Sequence, residues 1–403
     1  MNIQYNNNIK ERFIPIEYNK LCRDTLTYLK STNISQYKEF SESLSKYYYE
    51  NSYADIRVLK NNYLPFSPDN ELISSSFSNE EYKDMESKLF LKVDETLNDA
   101  NYEILTKKML EEAIKETSPY GIEVSINFND FDEVKIYFRG QSIQEDKVLD
   151  PMKLYLKTKT ITAPIYNRLL LVIKPKKFNI RAKELVVEEN ISIEKAKNKL
   201  KNNEILIKDD EDNNIYIKLF KNIPQIDLEM LFPNTKIKMR LFDKLKIAVL
   251  GGGGTISGGA TLSAKLGSIA IEPMSALVAL GAFGGVLWRQ IKSVLYRKNQ
   301  YMAQLAQKLY FYNLANNTSA LIQCVENAND EQIKETLLAY LFLVHEDNTL
   351  TKEQLDKKIE DFIYTTYNIK INYEIDDGLN KLKSMGLLVE NNSKLSVNKN
   401  KIA

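Results

Sequence analysis

The residue types that most often carry catalysis are scarce in this chain, and the scarcity bounds its chemistry. Among 403 residues there is one histidine, His345. Any serine or cysteine nucleophile that needs an imidazole base would depend on it, yet it follows the apolar run LFLV and precedes a turn, as a helix-end or surface residue does. The two cysteines, Cys22 and Cys324, lie far apart without a companion histidine. They indicate neither a disulfide framework nor a zinc site. Carboxylates and lysines remain available as acids and bases, but no spacing nominates a catalytic pair, and no cofactor or metal is expected. The polar residues that stand inside otherwise distinctive segments are Arg139, Arg168, Asp227 and Glu229. Brought together in space they would form a polar cluster in an amino-terminal domain; singly, each reads as a salt bridge or cap.

The second chemical candidate is the glycine-rich stretch over 246–289. IAVLGGGGTI has the look of a strand entering a phosphate-binding turn. The dinucleotide fingerprint fails because Ile256 stands where its last glycine should be, and a P-loop aligned on Gly254 and Gly259 has Ala260 and Thr261 in place of Lys and Ser/Thr. The stretch reads instead as a two-helix membrane hairpin over 244–291, since 247–264 and 274–288 are uncharged. Each run is near the lower limit of about 17–25 residues for a span, and glycine, serine and threonine make the first marginal. Gly254 with Gly258 and Gly281 with Gly285 have the spacing that lets helices pack closely in lipid. Lys246, Trp288 and Arg289 would mark the interface. Basic residues at both ends and one lysine in the connector place both termini on the cytoplasmic side. The expectation is an integral membrane protein, of a bacterial inner membrane, with the lipid bilayer as a partner. The amino terminus has no secretory signal pattern.

Lys and Arg number 55 against 54 Asp and Glu, so net charge argues for no acidic or nucleic-acid partner. The elements that must position any site form an α+β domain over 1–235. From residue 17 to about 63 the pattern is helical, with Tyr37, Phe40, Leu44, Tyr47 and Tyr48 on one face. Helices are expected near 80–97 and 102–116. Alternation at 122–128 and 134–138 predicts an antiparallel hairpin; RLLLVIKP at 168–175 reads as a central strand; 192–202 is helix-prone. ILI at 205–207 and IYIKLF at 215–220 suggest a second hairpin about the acidic turn DDEDNN, which lacks the glycine and distal glutamate of a calcium loop.

Over 299–403 the pattern is helical again. Ile333, Leu337, Leu338, Leu341 and Val344 mark one helix, and Thr351 with Gln354 forms a capping box before Leu355, Ile359, Phe362 and Ile363. Ile375, Leu379 and Leu382 mark the next, and 387–390 and 394–397 read as two strands. Three helices and a terminal hairpin are the layout of a winged-helix-like domain. Its recognition helix would open on Glu374, Asp376 and Asp377, and 330–403 carries 13 acidic and 10 basic residues. Phosphate contacts need a basic face, so nucleic acid is disfavoured and protein contact favoured.

RFIPI at 12–16, YLPFSPD at 63–69, FRG at 138–140, YNRLLLVIKP at 166–175, the long segment at 217–246 and YFYNLANN at 310–317 together resemble the transmembrane protein 143 family, a family of unknown function. The resemblance implies two closely spaced membrane spans after the LFP segment and supplies no catalytic residues. It does not extend over 176–214. The function expected is a membrane-anchored, non-enzymatic interaction or scaffold protein, with a protein partner or self-association. The alternatives are an oligomerising membrane effector that forms a pore or perturbs the bilayer, and an enzyme with its site in the amino-terminal domain.

Overall fold

The computed structural model describes residues 4–5, 10–30, 34–70, 77–106, 109–110, 122–149, 158–209, 212–233, 236–239, 309–345 and 350–398. The chain opens with a short strand, β1 (Gln4–Tyr5), and the helices α1 (Tyr18–Tyr28), α2 (Ile34–Tyr63) and α3 (Asn79–Asp99). Glu17 caps α1 through two backbone N–H groups, and Ser78 with Glu81 forms a capping box that starts α3. Strands follow: β2 (Glu103–Ile104), β3 (Ile122–Ser125), β4 (Phe131–Leu149) and β5 (Thr158–Pro175). Two helices, α4 (Phe178–Glu189) and α5 (Ile193–Leu200), precede β6 (Tyr216–Pro224) and β7 (Lys236–Met239). The last part holds β8 (Asn313–Asn316), α6 (Asn317–His345), α7 (Lys352–Tyr367), α8 (Ile375–Ser384), β9 (Leu388–Asn391) and β10 (Lys394–Val397).

The main sheet is antiparallel and runs β1-β4-β5-β6-β8, with β2 also paired to β4. RLLLVIKP is central, as its unbroken apolar run predicts: Leu169, Leu170 and Leu171 are fully buried between β4 and β6. One face packs on α2, α3 and the first half of α6. The other face carries Phe138, Leu169, Leu171 and Phe220 against Leu228, Leu231 and Phe232.

The two expected local hairpins do not form. β3 pairs with β7 and β4 with β5, and the 205–207 segment contributes a single parallel bridge, Lys177 with Ile207. Alternation specifies a half-buried strand but not its partner. The helix expected near 102–116 is likewise corrected at its start, where Glu103–Ile104 pairs with β4.

Helices α2 and α6, of 30 and 29 residues, are shared by two cores. The start of α2 (Phe40, Leu44, Tyr48) and the end of α6 (Leu337 to Leu343) pack with α1, α7, α8 and the β9–β10 hairpin. The end of α2 (Leu59, Tyr63) and the start of α6 (Ala320, Leu321, Cys324) pack on the sheet. Phe40 and Tyr340 stack with centroids 3.7 Å apart, fastening the two helices to one another. The three helices and hairpin expected in the carboxy-terminal part are present, and an antiparallel bridge joins Leu350, just before α7, to Leu395 of β10.

The membrane hairpin has to be corrected. Among the described residues no helix is long and apolar enough to cross a membrane. The longest helices bury their apolar stripes in protein and carry charge along their length, as Lys38, Glu42, Lys46 and Glu50 do on α2. The runs read as spans, with Gly254, Gly258, Gly281, Gly285, Lys246, Trp288 and Arg289, lie outside the described residues. The first run owes much of its length to glycine, serine and threonine, which contribute little to insertion. Among the described residues the fold class is α+β with no helix fit to cross a membrane, and the assignment to a bacterial inner membrane with both termini cytoplasmic is not supported.

Candidate functional site

The polar residues that the fold gathers lie where the sheet body meets the winged-helix-like unit. Arg139 is on the helix-covered face of β4, directly across from Arg168 on β5, which in turn pairs with Lys221 on β6. Like charges in register repel, so this row needs compensation from outside the sheet. Arg139 receives it from α6, where the Glu331 carboxylate lies 3.8 Å away and is 1 % exposed. The same guanidinium donates to Ala100 O at 3.1 Å and Asn327 Oδ1 at 3.3 Å. It is held between the rings of Phe13 and Tyr102, at 4.9 and 5.0 Å, within the range of cation–π attraction. Arg168 donates to Asn167 O at 2.9 Å.

Asp227 is buried, but it belongs to the 3-10 segment Gln225–Leu231, whose Leu228 and Leu231 pack on the opposite face of the sheet. The Glu229 side chain lies outside the described residues. Arg139 and Arg168 are thus brought together, and Asp227 is placed with a different core.

Four charged residues that sequence reasoning passed over complete the joint: Glu11, Glu331, Lys334 and Glu335. Glu331 accepts from Ile14 N at 2.5 Å, and Lys334 Nζ donates to Ile14 O at 3.0 Å. Glu335 accepts from Asn101 Nδ2 at 2.7 Å, and the same amide donates to Arg12 O. Tyr373 donates to Glu335 O at 2.5 Å. Gly378 allows this approach of α8 to α6, since a Cβ there would stand 2.9 Å from the Tyr373 hydroxyl and 3.1 Å from Glu335 O. Two buried atoms of the joint, Asn101 Oδ1 and Arg139 Nε, have no partner among the described residues, at a cost of about 1–3 kcal/mol each. The available signal was EQIKE at 331–335. Those charges sit on a helix that is apolar all round in its next two turns, and such a helix is buried on every side.

Burial, and then the negative charge of Glu331, drives the Glu335 carboxyl well above the ordinary range, against the Asn101 amide, and so favours the neutral acid. With the folded value raised, its contribution is fully present below the ordinary carboxyl value and is lost as pH rises through the folded one. Glu335→Gln, neutral and isosteric, is therefore expected to change stability little at neutral pH and to flatten its decline in alkali. Urea midpoints measured across pH check this, and a large loss at neutral pH would mean that Glu335 works as a carboxylate.

Among the described residues no group of His, Cys, Asp or Glu is arranged to hold a metal. Cys324 is buried on the sheet-packed start of α6 and its thiol is pushed up to about 12 by burial, which makes it inert as a nucleophile. His345 is exposed at the end of α6. A shallow cavity of about 560 Å³ lies on the sheet edge, lined by Lys218, Phe220, Leu231, Tyr310, Phe311 and Asn313.

Residues 131–319 match a family described as a protein of unknown function, DUF3754. The match runs from β4 to the start of α6 and so takes in Arg139, Arg168 and Asp227, while Glu11, Asn101, Glu331 and Glu335 fall outside it. No solved structure matches the chain.

Proposed function

We propose that this chain is a non-enzymatic binding or scaffold protein, in which a winged-helix-like unit docked on an α+β body meets a protein partner. One observation carries the reading: the Arg139 guanidinium faces inward onto Glu331, Asn327, Ala100 O and two aromatic rings rather than into a cleft. A charge committed in this way serves to hold two units together. The charges of α8 support a protein partner over a nucleic acid. Its first turn carries Asp376 and Asp377, Arg12 binds Glu374 just before it at 2.6 Å, and Lys352 binds Asp376 at 2.5 Å. The end of the helix that would enter a groove in a winged-helix complex is acidic and held against the body.

Arg139→Met tests this. A structural arginine is expected to cost about 2 kcal/mol, from lost charge-assisted hydrogen bonds, and to lower Tm by several degrees. Residues that serve a ligand or a reaction behave in the other way, because replacing them leaves stability unchanged or raises it. A variant as stable as the parent by thermal and urea unfolding would overturn the reading and return Arg139 to the status of a site residue.

A further inference from the structure

Residues 10–16 form a strap across the joint, and Glu11 is the residue at which the strap touches both sides. Its backbone N–H donates to Lys370 O at 3.0 Å and its carbonyl accepts from Asn372 N at 2.8 Å, a one-residue strand beside Ile371. Its carboxyl accepts from Gln141 N on β4 at 2.7 Å, and 5 % of the residue is exposed. Lys10 and Arg12 on either side reach Glu360 and Glu374 of the winged-helix-like unit at 3.0 and 2.6 Å.

We propose that the strap is a pH-gated clasp, seated while the Glu11 carboxyl is neutral and loosened as it ionises, which uncovers the 370–374 segment and the start of α8. The closed joint is suited to release because it leaves Asn101 Oδ1 and Arg139 Nε unpaired among the described residues. Few charges face the Glu11 carboxyl. From β4 it meets the Gln141 amide and from β2 the like charge of Glu103. Its strap neighbours Lys10 and Arg12 are engaged with Glu360 and Glu374, the Lys370 side chain is exposed, and the α6 charges Glu331 and Lys334 engage the strap further along, at Ile14.

Burial is the largest influence on Glu11. The Gln141 N–H opposes it, Glu103 adds to it, and the carboxyl is raised from 4.5 to about 7. Because the seated state holds the proton more tightly than the released state, seating is strongest below the released value and weakens as pH rises through about 7. The clasp stands whether or not α8 meets a partner.

The test is hydrogen exchange on the full chain, comparing the parent with Glu11→Gln at about pH 5.5 and about pH 8, with labelling times scaled for intrinsic chemistry. In the parent, opening at the Asn372 and Gln141 amides is expected to rise on the order of tenfold or more between the two. In Glu11→Gln it stays level, and the central amides at 169–172 stay protected in both proteins. A variant that tracks the parent, or a parent without pH dependence, overturns the clasp. Should the variant fail to fold, a carbon-13 titration of the Glu11 carboxyl in the parent decides instead. A midpoint near 7 supports the clasp, and one below about 5 overturns it.

Discussion

Glu331→Gln is expected to cost about 3 kcal/mol, the toll of breaking a buried ion pair from one side. The amide still accepts from Ile14 N, so the loss comes from charge. Arg139 and Lys334 lie 3.8 and 3.7 Å from Glu331 Oε2, and after the substitution both cations stay buried without an anion between them. Glu331 and Glu335 stand one helical turn apart, yet opposite results follow for their glutamine variants. Burial favours the neutral form of Glu335, whereas Glu331 lies between two cations. Urea unfolding of the single variants, and of Glu331→Gln with Arg139→Met, measures the pair directly. The double variant is expected to recover about 1–2 kcal/mol relative to the sum of the single losses. Additive losses would mean that the two side chains do not interact.

Gly140→Ala is the second large effect. Gly140 lies between Arg139 and Gln141 with φ +74°, and a Cβ there would stand 2.8 Å from both Phe13 Cε1 and Asn167 Nδ2. The left-handed backbone costs a side chain about 1–2 kcal/mol, and overpacking typically adds about 1–3 kcal/mol. Neither neighbour is free to move. Phe13 is stacked on Arg139, and Asn167 accepts from Ser142, itself 1 % exposed. A total of about 2–5 kcal/mol is expected, read from thermal and chemical denaturation. Because Phe13 belongs to the strap, the damage should appear first as faster exchange at Asn372, before the sheet loosens. Uniform loosening, or none, would show that the glycine does not serve the strap.

The polar joint was partly legible. FRG at 138–140 and the arginine in YNRLLLVIKP drew attention to Arg139 and Arg168, and these two do become cross-strand neighbours. Asp227 was grouped with them because it shares a distinctive segment, but its element packs on the other face of the sheet. Glu11, Asn101 and Glu331 passed unnoticed for a physical reason. Their partners are 130, 234 and 317 residues away, and around Glu11, unlike Glu331, nothing in a local window distinguishes a glutamate bound for solvent from one that will be buried. The membrane reading failed on a related point. An uncharged run reports its composition, while the described long helices, α2 and α6, owe their burial to protein around them.

Taken alone, the amino-acid sequence determined the type and extent of the elements whose stability is local. Ser78 with Glu81 and Thr351 with Gln354 start α3 and α7, the apolar face Leu355, Ile359, Phe362 and Ile363 is buried, and RLLLVIKP is the central strand. Capping and periodicity are interactions between residues a few positions apart, so they can be read in order. Tertiary structure decided which strands pair, that α2 and α6 each serve two cores, and which charges are sealed into the joint. Those outcomes depend on desolvation and contacts between distant parts of the chain, energies that arise only once the chain has closed around them.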